Sequence, residues 1–365
     1  MKPKLVLKTI TLLVALLLLS TIVFAADGTD IEPNNSPAQA NEITFRGTNG
    51  ENMVTGCVGK IAYDGDEDWY WINLPAGSYS ATLTNNKMSS VGTIFGNLPA
   101  DYDIYIYHYT DTTSYVARAF GGGTTKEHLT FTVPADKHNT KYYIRIDGYL
   151  SAHNDTEQYK FMLCKGDMEM LMEAYRYLYF PHPFYGRQSS GTEYHTKSVA
   201  YSYGTKDSLT YYEQKLDEAD QNITTTPQTN WDHYSSNYAR PGRYDGEPQS
   251  QSAWCGVDCS GFVYWNAKAS SQSYTLKSLA NIYCGTDEIV SHSTGTTVAN
   301  LKIGDVSVKS GVGAHAMMIS RLAIQYDRIR VIHADGKLNG GRKIFEELLS
   351  SARSSFDENN LRSLN

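Results

Sequence analysis

The run Asp258-Cys259-Ser260-Gly261-Phe262-Val263 decides how the second half of this chain reads, together with Gly313-Ala314-His315-Ala316-Met317-Met318-Ile319 and Ile332-His333-Ala334 downstream. Asp258 is a good helix N-cap, and the residues through Ala269 can run helically, so Cys259 falls in the first turn. Backbone N–H groups and the helix dipole favour an anion there. A free thiol ionises near pH ~8.5, and a helix N-terminus with an imidazolium nearby draws it toward thiolate. Ser260 and Gly261 are small and leave the sulfur reachable.

His315 follows the turn Leu301-Lys302-Ile303-Gly304-Asp305-Val306 and alternates with Met317 and Ile319, as a strand requires. It is the candidate general base. The next strand-like run, Arg328 to Ala334, carries His333 near its end. Antiparallel neighbours would set His333 beside His315, where its ring can hold the base's tautomer and orientation.

Upstream, Lys2, Lys4 and Lys8 precede an apolar run from Ile10 to Phe24 that ends in Ala25-Ala26. This pattern reads as a secretory signal over residues 1–25, cleaved after Ala25 or Ala26, with an uncleaved anchor as the alternative. No later segment is long and apolar enough to span a bilayer. The expected location is secreted, extracellular or associated with the cell wall, with no membrane contact after cleavage. The leader holds three Lys and no acid, so the rest of the chain carries −10 against −7 for the whole. An acidic exported chain without a basic block is a poor nucleic-acid partner. Five cysteines, an odd number, leave at least one thiol unpaired within the chain. One partition joins Cys57 to Cys164 and Cys255 to Cys284 and leaves Cys259 free.

Residues 27–165 read as all-β. Alternating runs recur at Tyr79–Leu83, Tyr102–Tyr107, Leu129–Val133, Tyr142–Ile146 and Tyr159–Leu163, separated by Gly, Asn, Asp and Pro clusters. A sandwich or jelly roll is expected, with Ile104 and Ile106 inward and Tyr105 and Tyr107 outward. Asp64, Asp66 and Asp68 alternate through a turn and could hold Ca²⁺, although a solvated acidic turn is the plainer reading. Met168–Phe180 reads as a helix stopped by Pro181 and Pro183. A polar stretch follows, with a short helix near Leu209–Ala219 and a long insertion over 204–253. The tail from Ile344 to Phe356 reads as an amphipathic helix.

Two resemblances gather these pieces. Glu32-Pro33-Asn34-Asn35, Asp66-Glu67-Asp68-Trp69-Tyr70, Pro75-Ala76-Gly77-Ser78-Tyr79, Asp101 to Tyr107 and Tyr142 to Ile146 resemble, in order, the bacterial pre-peptidase C-terminal domain, a small β-sandwich of secreted peptidases. The runs D-C-S-G-F-V, L-K-x-G-D-V with its following His, and I-H-A resemble the NlpC family of papain-like cell-wall cysteine peptidases. That resemblance implies an α+β papain-like domain over 166–365, with a helix packed on an antiparallel sheet. It also implies Cys259 as nucleophile, His315 as base and His333 as the orienting third residue. No cofactor is implied, and the usual substrate is a peptide bond in the peptidoglycan stem. The family's substrate-contacting Tyr usually lies just before the cysteine. Here the nearest match is Tyr201, more than fifty residues upstream, and Ser260 is a second candidate substrate contact.

Three alternatives stand beside this reading. The same residues could serve a papain-like amidase or acyltransferase on a non-wall substrate. The domain could be a catalytically silent binding or adhesion protein. A zinc site from Cys255, Cys259 and the histidines has ligand spacing but lacks a second cysteine pair.

Overall fold

The computed structural model describes residues 28–46, 52–85, 96–180, 254–280, 283–323, 325–335, 343–352 and 356–365, with short pieces at 188–189, 192–193, 198–199, 201, 206–212, 214 and 240–241. The candidate leader and most of the 204–253 insertion lie outside the described residues, as does most of the helix expected at Leu209–Ala219. The described part is mostly β, with three large sheets and few helices.

Ten strands build the first half: β1 (Gly28–Thr29), β2 (Asn41–Glu42), β3 (Val54–Gly59), β4 (Glu67–Leu74), β5 (Gly77–Asn85), β6 (Tyr102–His108), β7 (Asp111–Ala119), β8 (Glu127–Val133), β9 (Thr140–Gly148) and β10 (Tyr159–Lys165). They form two five-stranded sheets, ordered β1-β3-β10-β5-β8 and β2-β4-β9-β6-β7. The strand period of two explains the shared core. Ile104, Ile106, Ile144, Ile146, Tyr70 and Ile72 point inward from one sheet, and Cys57, Ala81, Leu83 and Phe161 from the other. Tyr105 and Tyr107 stack on the outer face, where the ring of Trp69 lies 5.4 Å from that of Tyr107 and the Arg145 guanidinium lies 4.5 Å over Tyr105. Such cross-strand aromatic and cation–π pairs stabilise the outer sheet face, on which Trp69 and Tyr107 bury one another.

The expected disulfides are absent: Cys57, Cys164 and Cys284 are all free thiols. Cys57 pairs across the ladder with Phe161, whereas Cys164 pairs with Val54. An odd offset along adjacent strands sends the two side chains to opposite faces. Cys57 joins the sandwich core and Cys164 the second core. Burial pushes both thiols up, Cys57 well above its usual value.

The second half begins with α1 (Met168–Leu178), capped by Asp167, whose carboxylate accepts from the Met170 backbone N–H at 3.0 Å. Two-residue pairings follow at β11 (Gln188–Ser189) with β12 (Thr192–Glu193) and at β13 (Arg240–Pro241) with β14 (Trp254–Cys255). Then come α2 (Cys259–Ala269), α3 (Thr286–Ser291), β15 (Ser293–Gly295), β16 (Val306–Lys309), β17 (His315–Arg321), β18 (Arg330–Asp335), β19 (Lys343–Leu348), α4 (Leu349–Ala352) and β20 (Leu361–Leu364). The six-stranded sheet runs β15-β20-β16-β17-β18-β19, with every pairing antiparallel. Helix α2 packs on β17, β18 and α1, and its Phe262, Val263 and Ala267 enter one core with Met317, Met318 and Ile332.

The tail corrects its reading. Residues 343–348 form a strand, not the start of an amphipathic helix, and only Leu349–Ala352 is helical among the described residues. The unpaired edge of β18 takes up six residues of backbone in register, which outweighs a local helical pattern.

The two halves are joined by main-chain hydrogen bonds. Asp167 N–H donates to Ile303 C=O at 2.9 Å, and Ile303 N–H to Lys165 C=O at 3.0 Å. Ser80 Oγ donates to Gly166 C=O at 2.7 Å and accepts from Met168 N–H at 2.6 Å. Gly166 has φ +122°, and a Cβ there would meet the Ile303 carbonyl oxygen at 2.2 Å. Gly166→Ala should therefore cost about 1–3 kcal/mol in backbone strain alone, and more through the displaced Ile303. Thermal unfolding should show a midpoint well below that of Gly123→Ala, a control at φ +77° with nothing within 4 Å.

Candidate functional site

Asp258 caps α2 as its position predicts: its side chain accepts from the Gly261 backbone N–H at 2.6 Å. The carboxylate also accepts from Ser260 Oγ at 2.9 Å and from Lys206 Nζ at 3.0 Å on each oxygen. Lys206 Nζ donates to Ser260 Oγ as well, at 2.6 Å. Ser260 is buried, so its hydroxyl belongs to this capping cluster. Tyr201 and Lys206 each form a backbone bridge with Val257, two residues before the cysteine. The long insertion therefore separates Tyr201 from Cys259 in sequence but not in space.

Cys259 is half-buried at the start of α2. The backbone N–H groups of Ala316 and Ser260 lie near enough to its sulfur to favour the thiolate. The Ala316 contact sets the first residues of β17 against the sulfur. Burial pushes the thiol up to about 12, and the Asp258 carboxylate adds to that, while the two N–H groups and Lys206 pull it down. The helix N-terminus alone does not make this cysteine a thiolate, because desolvation of the anion exceeds what the N–H groups return. A proton acceptor is needed.

The sheet supplies two imidazoles. Met318 pairs with Ile332 and Ile319 with Val331. Continuing that register toward the start of β17 puts Met317 opposite His333 and His315 opposite Asp335, all on one face. His315 Nε2 lies 2.7 Å from His333 Nδ1, with the rings 5.0 Å apart and nearly perpendicular at 82°. Both histidines are buried, His333 completely. On the other side His333 Nε2 lies 2.9 Å from Glu347 Oε1, and the Phe345 ring packs 4.4 Å from the His333 ring. Val331 pairs with Glu347, so Glu347 shares the His333 face, one diagonal step away.

Neither Glu347 nor Lys206 was found from the sequence. Glu347 sat in the tail read as a helix, where a Glu-Glu pair looks like a solvated face. Lys206 lies at the edge of a polar insertion with no pattern around it.

Potential ligand atoms of His315, His333 and Asp335 lie within 4.8 Å of one another. A metal needs a lone pair from each nitrogen, but the two facing nitrogens are at hydrogen-bond distance, with one donating to the other. The cluster reads as a proton path. A second group, Asp30, Glu32 and Asp68, also gathers within 4.8 Å, in the sandwich. Asn34 Nδ2 donates to Asp30 at 2.8 Å and Tyr159 OH to Asp68 at 2.5 Å. Buried oxygens of Asn34, Asp66 and Asp68 have no hydrogen-bond partner. Burial and the neighbouring Asp30 push Asp68 up to about 9, and burial raises Asp30 and Glu32. An all-oxygen set with orphaned buried acceptors suits a hard cation such as Ca²⁺. The set differs from the expected Asp64-Asp66-Asp68: Asp64 is exposed, and one oxygen of Asp66 accepts from Ala62 N–H at 2.6 Å, closing the turn.

No family model and no curated protein sequence matches the chain. Among solved structures, the chain is similar to the pre-peptidase C-terminal domain of collagenase from Bacillus anthracis, at 18% identity and TM-score 0.25, over 36% of this chain and 99% of that one. It is also similar to PliG of Aeromonas hydrophila, a periplasmic lysozyme inhibitor of g-type lysozyme, at 13% identity and TM-score 0.23, over 34% and 94%. A third is CorA, a surface-associated copper-binding protein of Methylomicrobium album BG8, at 11% identity and TM-score 0.22, over 34% and 98%. Among the described residues no helix is long and apolar enough to cross a membrane.

The cap cluster generates a prediction. Lys206 offsets the Asp258 carboxylate beside the sulfur, so Lys206→Met should slow alkylation of Cys259 by iodoacetamide several-fold, while Lys206→Arg should keep most of the rate. Peptide mass spectrometry after timed quenching reads the modification at Cys259 itself.

Proposed function

We propose that this chain is an exported cysteine hydrolase whose second domain is papain-like and NlpC-type, acting on amide bonds of peptidoglycan stem peptides. The observation that carries the reading is the hydrogen bond between His315, on the strand whose Ala316 N–H faces the Cys259 sulfur, and His333 on the neighbouring strand. The stem-peptide substrate rests on the sequence resemblance.

Cys259 Sγ attacks the amide carbonyl while His315 takes its proton. The carbonyl oxygen becomes an oxyanion beside the Cys259 backbone N–H at the start of α2, where a hydrogen bond strengthens as charge develops. His315 then protonates the leaving amine, and a thioester remains on Cys259. Water, deprotonated by His315, attacks the thioester and restores the thiol. His333 positions His315, and Tyr201 stands where the chain enters the site from the insertion. The chemistry needs no cofactor. In the sandwich, Asp30, Glu32, Asn34, Asp66 and Asp68 would hold Ca²⁺ as a structural ion.

Incubation of the protein with purified peptidoglycan and its muropeptides, read by mass spectrometry, tests the hydrolase. New stem fragments from the wild type and none from Cys259→Ala are expected, a loss of more than about 10³-fold for removal of a nucleophile. No fragments from wild type, with Cys259 still alkylated, would discard the wall substrate. Fragments from Cys259→Ala would discard the mechanism. For the ion, Ca²⁺ added to chelator-treated protein should raise the unfolding midpoint, increasingly with concentration as linkage requires. Asp68→Asn should remove that dependence.

A further inference from the structure

His333 has two nitrogens and two different partners, and one of those partners cannot donate. A carboxylate is acceptor-only, so the 2.9 Å contact with Glu347 Oε1 requires the proton of His333 to sit on Nε2. In a neutral imidazole the other nitrogen, Nδ1, is then an acceptor. The 2.7 Å contact between His333 Nδ1 and His315 Nε2 must therefore be donated by His315. A neutral His315 with its proton on Nε2 has a bare Nδ1. Along these two contacts, the order of protons follows from the carboxylate at the far end.

From this geometry we infer that Glu347 is a positioning residue of the site: through His333 it fixes the tautomer of His315 and leaves Nδ1 as the lone pair that takes the Cys259 proton. The inference rests on the hydrolase reading for its use, although the tautomers themselves do not. When His315 gains the thiol proton it becomes an imidazolium, and its Nε2–H now points along a path that ends in a negative charge. The two hydrogen bonds carry that charge stabilisation through a ring that is completely buried, where water cannot substitute for it. Glu347 itself is partly exposed at 23%, so its side chain keeps contact with water while its partner is dry. The neighbouring Glu346 does not compete for the role. It faces the other side of β19, where it accepts from Ser320 at 2.7 Å, Arg321 at 3.1 Å and Tyr175 at 3.1 Å.

Long-range ¹H–¹⁵N spectra of the full chain labelled at histidine read the tautomers directly, with His315→Asn and His333→Asn used for assignment. The expected wild-type result is protonated Nε2 and bare Nδ1 on both rings. In Glu347→Ala, His333 should become a tautomer mixture and His315 should follow. Glu347→Gln, whose amide oxygen still accepts, should keep the tautomers but lose the charge. On a cleaved muropeptide, kcat should fall more than tenfold in Glu347→Ala with KM little changed, and Glu347→Gln should lie between that variant and wild type. A proton on Nδ1 of His333 in the wild type would overturn the inference without any variant having to fold. So would a folded Glu347→Ala in which tautomers and the Cys259 alkylation rate are unchanged. The expected tautomers in a protein that cleaves no amide would uphold the proton order and sink the hydrolase reading.

Discussion

The register of three antiparallel strands governs the candidate site. Pairing Met318 with Ile332 and Val331 with Glu347 commits every side chain on β17, β18 and β19 to a face. His315, His333 and Glu347 fall on one face, at diagonal spacings that long side chains can bridge. A slip of one residue in β18 would send His333 to the opposite face and put Ile332 in its place. The core guards against that slip, because Met317, Met318, Ile319, Val331, Ile332 and Ala334 are all fully buried. The same apolar packing that stabilises the sheet thus sets the hydrogen-bond geometry of the polar pair within it.

The sandwich is tied into this arrangement through backbone. Ile303 bridges Gly166 just after β10, and the chain then turns through Gly304 into β16, whose partner is β17. Ser80 of β5 holds the other side of the same junction. These contacts are short, local and unforgiving of a side chain at Gly166. The first domain is accordingly fixed to the turn that leads into the histidine strand.

Much of this was legible in the sequence where one physical signal acted alone. Period-two alternation located β5, β6, β8, β9 and β10, and the Asp258 cap located α2. The readings failed where tertiary partners decided the outcome. Residues Ile344–Leu348 carry a spacing that fits a helix, and only the open edge of β18 makes them a strand. Glu347 was lost with that strand. Cys57 and Cys164 lie on neighbouring strands, as a disulfide would require, but on opposite faces, which spacing in sequence does not reveal. The acidic turn pointed to Asp66 and Asp68 as neighbours, and the Asp66 charge does act on Asp68. It missed Asp30 and Glu32, which arrive from a distant segment.

The raised Cys259 thiol changes how the pieces depend on one another. A cysteine already ionised by its helix would need its histidine mainly as a counter-ion. Here burial holds the sulfur protonated in the resting state, with its pKa at about 12. Two N–H groups and the Lys206 cation bring the thiolate partway back, and they act on the anion wherever the proton goes. The rest of the driving force has to come from stabilising the proton's destination. A dry imidazole is a poor destination by itself, since desolvation disfavours its cation as it does the thiolate. A second imidazole and a carboxylate in line behind it correct that defect. The buried thiol and the His315–His333–Glu347 chain are therefore two halves of one electrostatic solution. Either half placed alone in this interior would leave an ion without compensation.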